Sequence, residues 1–262
     1  MEISLKNKNA IVCGSTQGMG KATAVEFAKA GANVTLVARN EASLKKVLDT
    51  LPKAKGQKHN YIAADFQKPE VLEKKIKEYI SNNPPVHILV NNSGGPGPKP
   101  ISQANPDEFE TAFRMHVICD QILVKAVVEG MKKEKYGRII NIISTSVKEP
   151  IKDLGVSNTI RAAVASWAKT LSLELAPFGI TVNNILPGAT KTERLTSLLE
   201  ARTKSAGVSM YGAETEWLSK IPAGRFAEPE EIAYVITFLA SPLASYVNGV
   251  SLPVDGGRTG SI

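Results

Sequence analysis

Cysteine is almost missing from this chain: Cys13 and Cys119 are the only two in 262 residues. Two thiols cannot build a multi-bridge disulfide framework or a cysteine-rich zinc site, and both stand in apolar stretches, which fits a reducing compartment. Histidine is as scarce. His59, His87 and His116 share no metal-ligand spacing, so no metal site is expected. No run approaches the roughly 18 apolar residues of a membrane span, and the charged stretch Met1–Ala10 lacks the apolar centre of a signal peptide. A cytoplasmic protein with no membrane partner is the expectation. Aromatic residues make up only 6%, and they do not interleave with the basic ones. The net charge of +7 therefore does not read as a nucleic-acid surface. The lysines lie singly or in pairs between helical apolar positions, as at Lys45, Lys46, Lys74, Lys75, Lys77, Lys132, Lys133 and Lys135, the pattern of solvated helix faces.

What the chain does contain is 43% hydrophobic residues, enough for a sizeable core, with no internal repeat, no Pro/Gly/Ser linker and no shift of composition. One domain over residues 1–262 follows. Short β-rich apolar runs recur at Asn9–Val12, Asn33–Ala38, Tyr61–Ala63, His87–Val90, Arg138–Ile143, Thr181–Leu186 and Val250–Val254. Segments of helical period separate most of them, at Gly20–Ala30, Ala42–Leu51, Pro69–Ser81, Pro106–Lys133, Val156–Ala176 and Pro229–Ala240. Such alternation predicts an α/β fold, a doubly wound parallel sheet of about seven strands with helices on both faces. The irregular stretch Thr190–Arg225 reads as a substrate lid carrying short helices.

The first strand runs through Gly14-Ser15-Thr16-Gln17-Gly18-Met19-Gly20 directly into a helix. Glycines there admit a pyrophosphate close to the backbone, and the helix N-terminus offers it free N–H groups and partial positive charge. After the second strand, where NAD selectivity wants a carboxylate, the chain has Ala38-Arg39. A guanidinium at that place pairs with a 2′-phosphate, so NADP(H) is expected in preference to NAD(H). The bland alternative makes Arg39 a solvated loop residue.

Further signatures follow in order: Ala64-Asp65, Asn91-Asn92-Ser93-Gly94, Asn141-Ile142-Ile143-Ser144, Thr181-Val182-Asn183, Pro187-Gly188 and Val254-Asp255-Gly256-Gly257. With the glycine loop they make the chain resemble a short-chain dehydrogenase/reductase, nearest in style to the 3-oxoacyl-carrier-protein reductase-like branch. The resemblance implies a Rossmann-type domain, a nicotinamide cofactor across the strands' carboxyl ends, and a homotetramer or homodimer. It also implies that Asp65 and Phe66 lie at the adenine, that Asn92, Ser93 and Gly94 pass the adenosine ribose, and that Pro187, Gly188 and Thr190 hold the nicotinamide end. Asn91 is expected to brace its strand. One apolar stripe, Val156, Ile160, Val164, Trp167 and Leu171, offers a surface for a second subunit.

The family's chemistry uses a Tyr-x-x-x-Lys pair on one helix, an upstream serine, and an asparagine on the preceding long helix. Anchored by Asn141–Ser144 on one side and Lys169–Ala176 on the other, the chain places Ser157 at the tyrosine and Arg161 at the lysine. His116 takes the asparagine position, and only Ser144 of the four is retained. No tyrosine lies between Tyr136 and Tyr211 to replace the missing phenol. A serine hydroxyl is a far weaker acid than a phenol, and Arg161 brings a flat, permanently charged fork rather than a point charge. His116 reads either as the proton-exchanging acid or as a polar residue closing a buried network. Two functions stay open: an NADP(H)-dependent oxidoreductase acting on a small carbonyl or alcohol through Ser144, Ser157, Arg161 or His116, and a catalytically silent NADP(H)-binding protein.

Overall fold

A computed structural model describes residues 3–54 and 56–261. In chain order the strands are β1 (Asn9–Cys13), β2 (Asn33–Ala38), β3 (Asn60–Ala63), β4 (Ile88–Asn91), β5 (Gly137–Ile142), β6 (Ile180–Pro187) and β7 (Ser251–Val254). They form one sheet in the order β3-β2-β1-β4-β5-β6-β7, and every pairing is parallel. The helices are α1 (Gly18–Lys29), α2 (Glu41–Thr50), α3 (Pro69–Asn82), α4 (Pro106–Phe113), α5 (Cys119–Glu134), α6 (Gly155–Leu175), α7 (Glu193–Ala206), α8 (Met210–Leu218) and α9 (Pro229–Ala240). The doubly wound Rossmann-type domain is thus observed. Among the described residues no helix is long and apolar enough to cross a membrane.

Strand period 2 distributes the core between the two faces of the sheet. Ala10 and Val12 of β1, Ile88 and Val90 of β4, and Ile140 and Ile142 of β5 pack with Phe27 of α1 and Ile232, Ile236 and Leu239 of α9. The intervening Ile11, Leu89 and Ile139 face the other way, onto Leu72 and Ile76 of α3, Leu123 and Val127 of α5 and Ala168 of α6. With both faces covered, the central strands read as nearly continuous apolar runs.

Two expectations from the sequence change. The single helix foreseen over Pro106–Lys133 is interrupted by a π turn at Arg114–Ile118, and a π turn takes one extra residue without disturbing the apolar period on either side, so hydropathy does not announce it. The stripe on α6 is also less free than its period suggests. Val156 and Ile160 are buried against Ala112 and Phe109 of α4, Val164 is buried among Ile143 and Leu186, and Trp167 and Leu171 are half-buried on the core. Helix α4 and the sheet satisfy the stripe within one chain, so the stripe does not by itself call for a second subunit.

Candidate functional site

The strand order reverses between β1 and β4, and there the carboxyl ends of the strands diverge beneath a cleft of about 960 Å³. In a doubly wound sheet this switch point is the place where a ligand fits. One wall is the glycine loop, with Gly14, Thr16, Gln17, Gly18 and Met19 lining the cleft. Gly18 adopts φ +53° at the entry to α1, a left-handed conformation that favours glycine. A Cβ on Gly20 would overlap the Gly14 carbonyl oxygen, so Gly20 lets the helix seat against the loop. Helix α1 has no side-chain cap and no acid in its first turn. Its first N–H groups therefore remain available to an anion, and that is the observation by which the loop fits a dinucleotide pyrophosphate.

Arg39 lines the far end of the cleft with Asn40 and Ser43. Asn40 caps α2 by accepting from the Ser43 N–H at 2.8 Å, so a second helix start faces the same place as the guanidinium. Asp65, Phe66, Asn92, Ser93, Gly94, Pro187, Gly188 and Thr190 all line the cleft. Asn92 reaches the Cys13 and Gly14 carbonyls at 3.3 and 3.4 Å, tying β4 to the glycine loop. Two of the residues assigned to the cofactor lie outside this lining. Ser15 is fully buried with its hydroxyl and N–H directed at the Val37 carbonyl, and Gly20 is buried under the loop. Both shape the loop from behind.

The residues assigned to catalysis come together at the other end, where Ser144, Ser157, Arg161 and His116 line the same cleft. Ser144 Oγ accepts from the Ser146 N–H at 3.0 Å. With one lone pair engaged, its O–H is left to donate toward the cleft. The 3.6-residue period places Ser157 and Arg161 one turn apart on one face of α6. Arg161 donates to the Ile142 carbonyl at 3.1 Å and the Ser93 carbonyl at 3.4 Å. Burial lowers its pKa to about 10, with Asp120 opposing and Arg194 adding to the drop; the group stays cationic at neutral pH. Asp120 is itself buried, and desolvation raises its carboxyl well above the usual range despite Arg161.

His116 sits on the π turn, buried, with Nδ1 in a 2.7 Å hydrogen bond with Ser93 Oγ and with Nε2 lacking a partner among the described residues. Burial first, and the Arg161 charge second, lower its pKa to about 2. Of the two readings of His116, this favours the polar residue closing a buried network over the proton-exchanging acid: the imidazole is neutral at physiological pH because its site offers an imidazolium no counter-charge. A measurable consequence is its NMR behaviour. The His116 ring resonances should not titrate between pH 5 and 8, and a midpoint near 6.5 contradicts the assignment. Because the unfolded chain takes up this proton below pH 6.5 while the folded chain does not, His116 subtracts about 1.4 kcal/mol of stability per pH unit below that value. His116→Asn should remove that share of the acid-side slope in urea unfolding measured from pH 7 to 5.

Several contributors escaped the sequence. Asn91 Nδ2 donates to Asn141 Oδ1 at 2.9 Å, Asn141 to Asn184 at 2.8 Å, and Asn184 to Ser251 Oγ at 3.0 Å, a ladder of amides across four strands beneath the cleft. The bracing role expected of Asn91 is thereby extended to β7. Arg194, on the first turn of α7, donates to the Pro96 carbonyl at 2.6 Å. This bond links α7 to the loop after β4. Residues 190–225 contain α7 and α8, and Thr190, Thr192, Arg194, Leu195, Leu198 and Trp217 of that segment line the cleft.

A family model described as enoyl-(acyl carrier protein) reductase matches residues 14–259. The chain is 32% identical over 257 residues to 3-oxoacyl-(acyl-carrier-protein) reductase FabG of Vibrio cholerae, covering 97% of this chain and 98% of that protein. L-Sorbose reductase from Gluconobacter frateurii, solved with NADPH and L-sorbose, superposes with a TM-score of 0.92 at 30% identity over 100% of both chains. A 3-ketoacyl-(acyl-carrier-protein) reductase from Brucella melitensis, solved with NADH, gives 0.85 at 31% identity over 98% of this chain and 100% of that one.

Proposed function

This chain belongs to the short-chain dehydrogenase/reductase family, and from that premise we propose that it transfers hydride between NADP(H) and a small carbonyl or alcohol substrate. The observation that carries the reading is the single cleft that joins an uncapped α1 N-terminus to the Ser144 hydroxyl. The cofactor, when bound, supplies or accepts the hydride. The chain's residues do the rest. The glycine loop and α1 hold the pyrophosphate, Asp65 and Phe66 flank the adenine, and Arg161 meets the nicotinamide ribose near Pro187, Gly188 and Thr190. Ser144 donates its hydrogen bond to the substrate oxygen as negative charge grows there. The Arg161 guanidinium, in a partly water-excluded site, adds stabilisation of that charge. Ser157 Oγ, one helical turn from Arg161, relays the proton to the oxygen, giving up its own and taking one from water in the cleft. His116, neutral, accepts from or donates to Ser93 and keeps that loop in place.

NADP(H) is preferred because Arg39, Asn40 and Ser43 gather a guanidinium and a helix start where a carboxylate would reject a 2′-phosphate. Calorimetric titration should show NADP⁺ binding at least tenfold tighter than NAD⁺, with the preference lost or reversed in Arg39→Asp. Equal affinities in the unaltered protein refute the preference.

A second reading, a silent NADP(H)-binding protein, draws on one observation: no tyrosine lines the cleft among the described residues. Cofactor oxidation followed over a panel of ketones and aldehydes separates the two. Assembly into a homotetramer or homodimer is part of the proposal, and light scattering that finds a monomer at micromolar concentration refutes it.

A further inference from the structure

At the catalytic end of the cleft Arg161 is joined by a second cation, Arg194, that hydride transfer alone does not require. One point defines the pair. The position that a Cβ on Gly95 would occupy lies 3.6 Å from Arg161 Nη2, 3.7 Å from Arg194 Nη2 and 4.0 Å from Ser157 Oγ. Among the described residues each guanidinium is anchored only by main-chain oxygens, Arg161 by Ile142 and Ser93 and Arg194 by Pro96. The arginines that form ion pairs among the described residues are others, Arg114, Arg202 and Arg225. Most of the ten N–H donors of the pair are left unused.

The acidic groups near the cleft do not neutralise this pair. Glu108 is tied to Lys99 at 2.7 Å, Asp107 is exposed at the start of α4, and Asp65 follows β3 at the opposite end. Asp120 faces Arg161 but is not within ion-pair distance, and burial favours its neutral form. Two like charges held close in a half-buried site repel each other, and a bound anion removes that cost.

We propose that Arg161 and Arg194 form an anion subsite next to the reacting carbon, and that the substrate is a short oxo acid or hydroxy acid whose carboxylate the two guanidinium groups grip. The assignment of a reacting carbonyl rests on the oxidoreductase reading; the anion subsite rests on the arginine pair. The phosphates of the dinucleotide are served elsewhere, by the α1 start and by Arg39. Gly95 leaves open the space between the two forks, and Arg194 makes the lid part of the grip.

The test uses the full-length protein saturated with NADP⁺ and calorimetric titration of 4-oxopentanoate and 2-oxobutanoate against their methyl esters. At least one acid should bind about 20-fold more tightly than its ester. In Arg194→Gln that advantage should vanish, Arg194→Lys should keep part of it, and NADP⁺ affinity should stay within about threefold. Gly95→Ala, whose methyl group meets its neighbours only at ordinary contact distance, should weaken the acid by occupying its place. Acids and esters that bind equally, or acids that do not bind, overturn the subsite. A loss of NADP⁺ affinity in Arg194→Gln equal to the loss of acid affinity also overturns it, by assigning the charge to the cofactor. Turnover is read separately: tight acid binding without NADPH oxidation over the panel overturns only the oxidoreductase reading, and turnover of neutral ketones without acid preference overturns only the subsite.

Discussion

Ser144→Ala should lower kcat by about 100-fold while leaving the affinity for NADP⁺ within a factor of about two, because the hydroxyl is the donor placed for charge that develops only in the transition state. Ser144 Oγ already accepts from the Ser146 N–H, which holds the oxygen in place and narrows the directions open to its proton before substrate arrives. That pre-orientation is what makes the donor worth more than a surface hydroxyl. The substitution also removes the cap of the short 3₁₀ turn Thr145–Val147, at about 1 kcal/mol of stability. A melting curve taken beside the steady-state kinetics separates the two effects, and Ser144→Thr should recover part of kcat. A kcat reduced less than fivefold, or a loss carried entirely by KM, counts against Ser144 as the donor to the substrate oxygen.

Most of the fold was legible because a parallel sheet covered on both faces leaves a coarse mark. Runs such as Asn33–Ala38 and Pro229–Ala240 coincide with β2 and α9, since a short apolar run fits a strand buried on both faces and an apolar stripe of helical period fits a helix covering it. The π turn at Arg114–Ile118, on which His116 is buried, left no such mark, because the extra residue does not disturb the apolar period on either side. The α6 stripe was misleading for a related reason. Its period shows which side is apolar, but only the tertiary path of α4 shows that the chain covers that side itself.

In the site, residues bound to sequence-local geometry were readable: glycines at a tight turn and Ser157 and Arg161 one helical turn apart. Groups whose role depends on a distant partner were not. Arg194 becomes informative only beside Gly95 and Arg161, and His116 becomes neutral only once its buried surroundings are known. Ser15 shows the reverse error. It stands inside the loop motif, yet its side chain turns to the Val37 carbonyl and away from the cleft.

Rebuilding the family's usual pair by Ser157→Tyr with Arg161→Lys should slow turnover, by about 100-fold, although it restores the more familiar acid. Arg161 is fixed by two carbonyls on opposite sides, Ile142 and Ser93, and a lysine ammonium cannot present donors in two fixed directions from one planar group. The space that a phenol ring at position 157 must enter is the space in front of Gly95, where Arg161, Arg194 and Ser157 converge. The new side chain therefore competes with the carboxylate of the proposed substrate while the cation proposed to grip it is weakened. The loss should fall more heavily on acids than on neutral ketones, and cofactor binding should weaken through the lost guanidinium. Parallel assays of NADPH oxidation with 4-oxopentanoate and its methyl ester in the unaltered protein and the double variant measure both effects. If the unaltered protein is inactive over the whole carbonyl panel and the double variant turns over, then the serine and arginine have replaced a catalytic pair without replacing its chemistry, and the chain is a cofactor-binding protein.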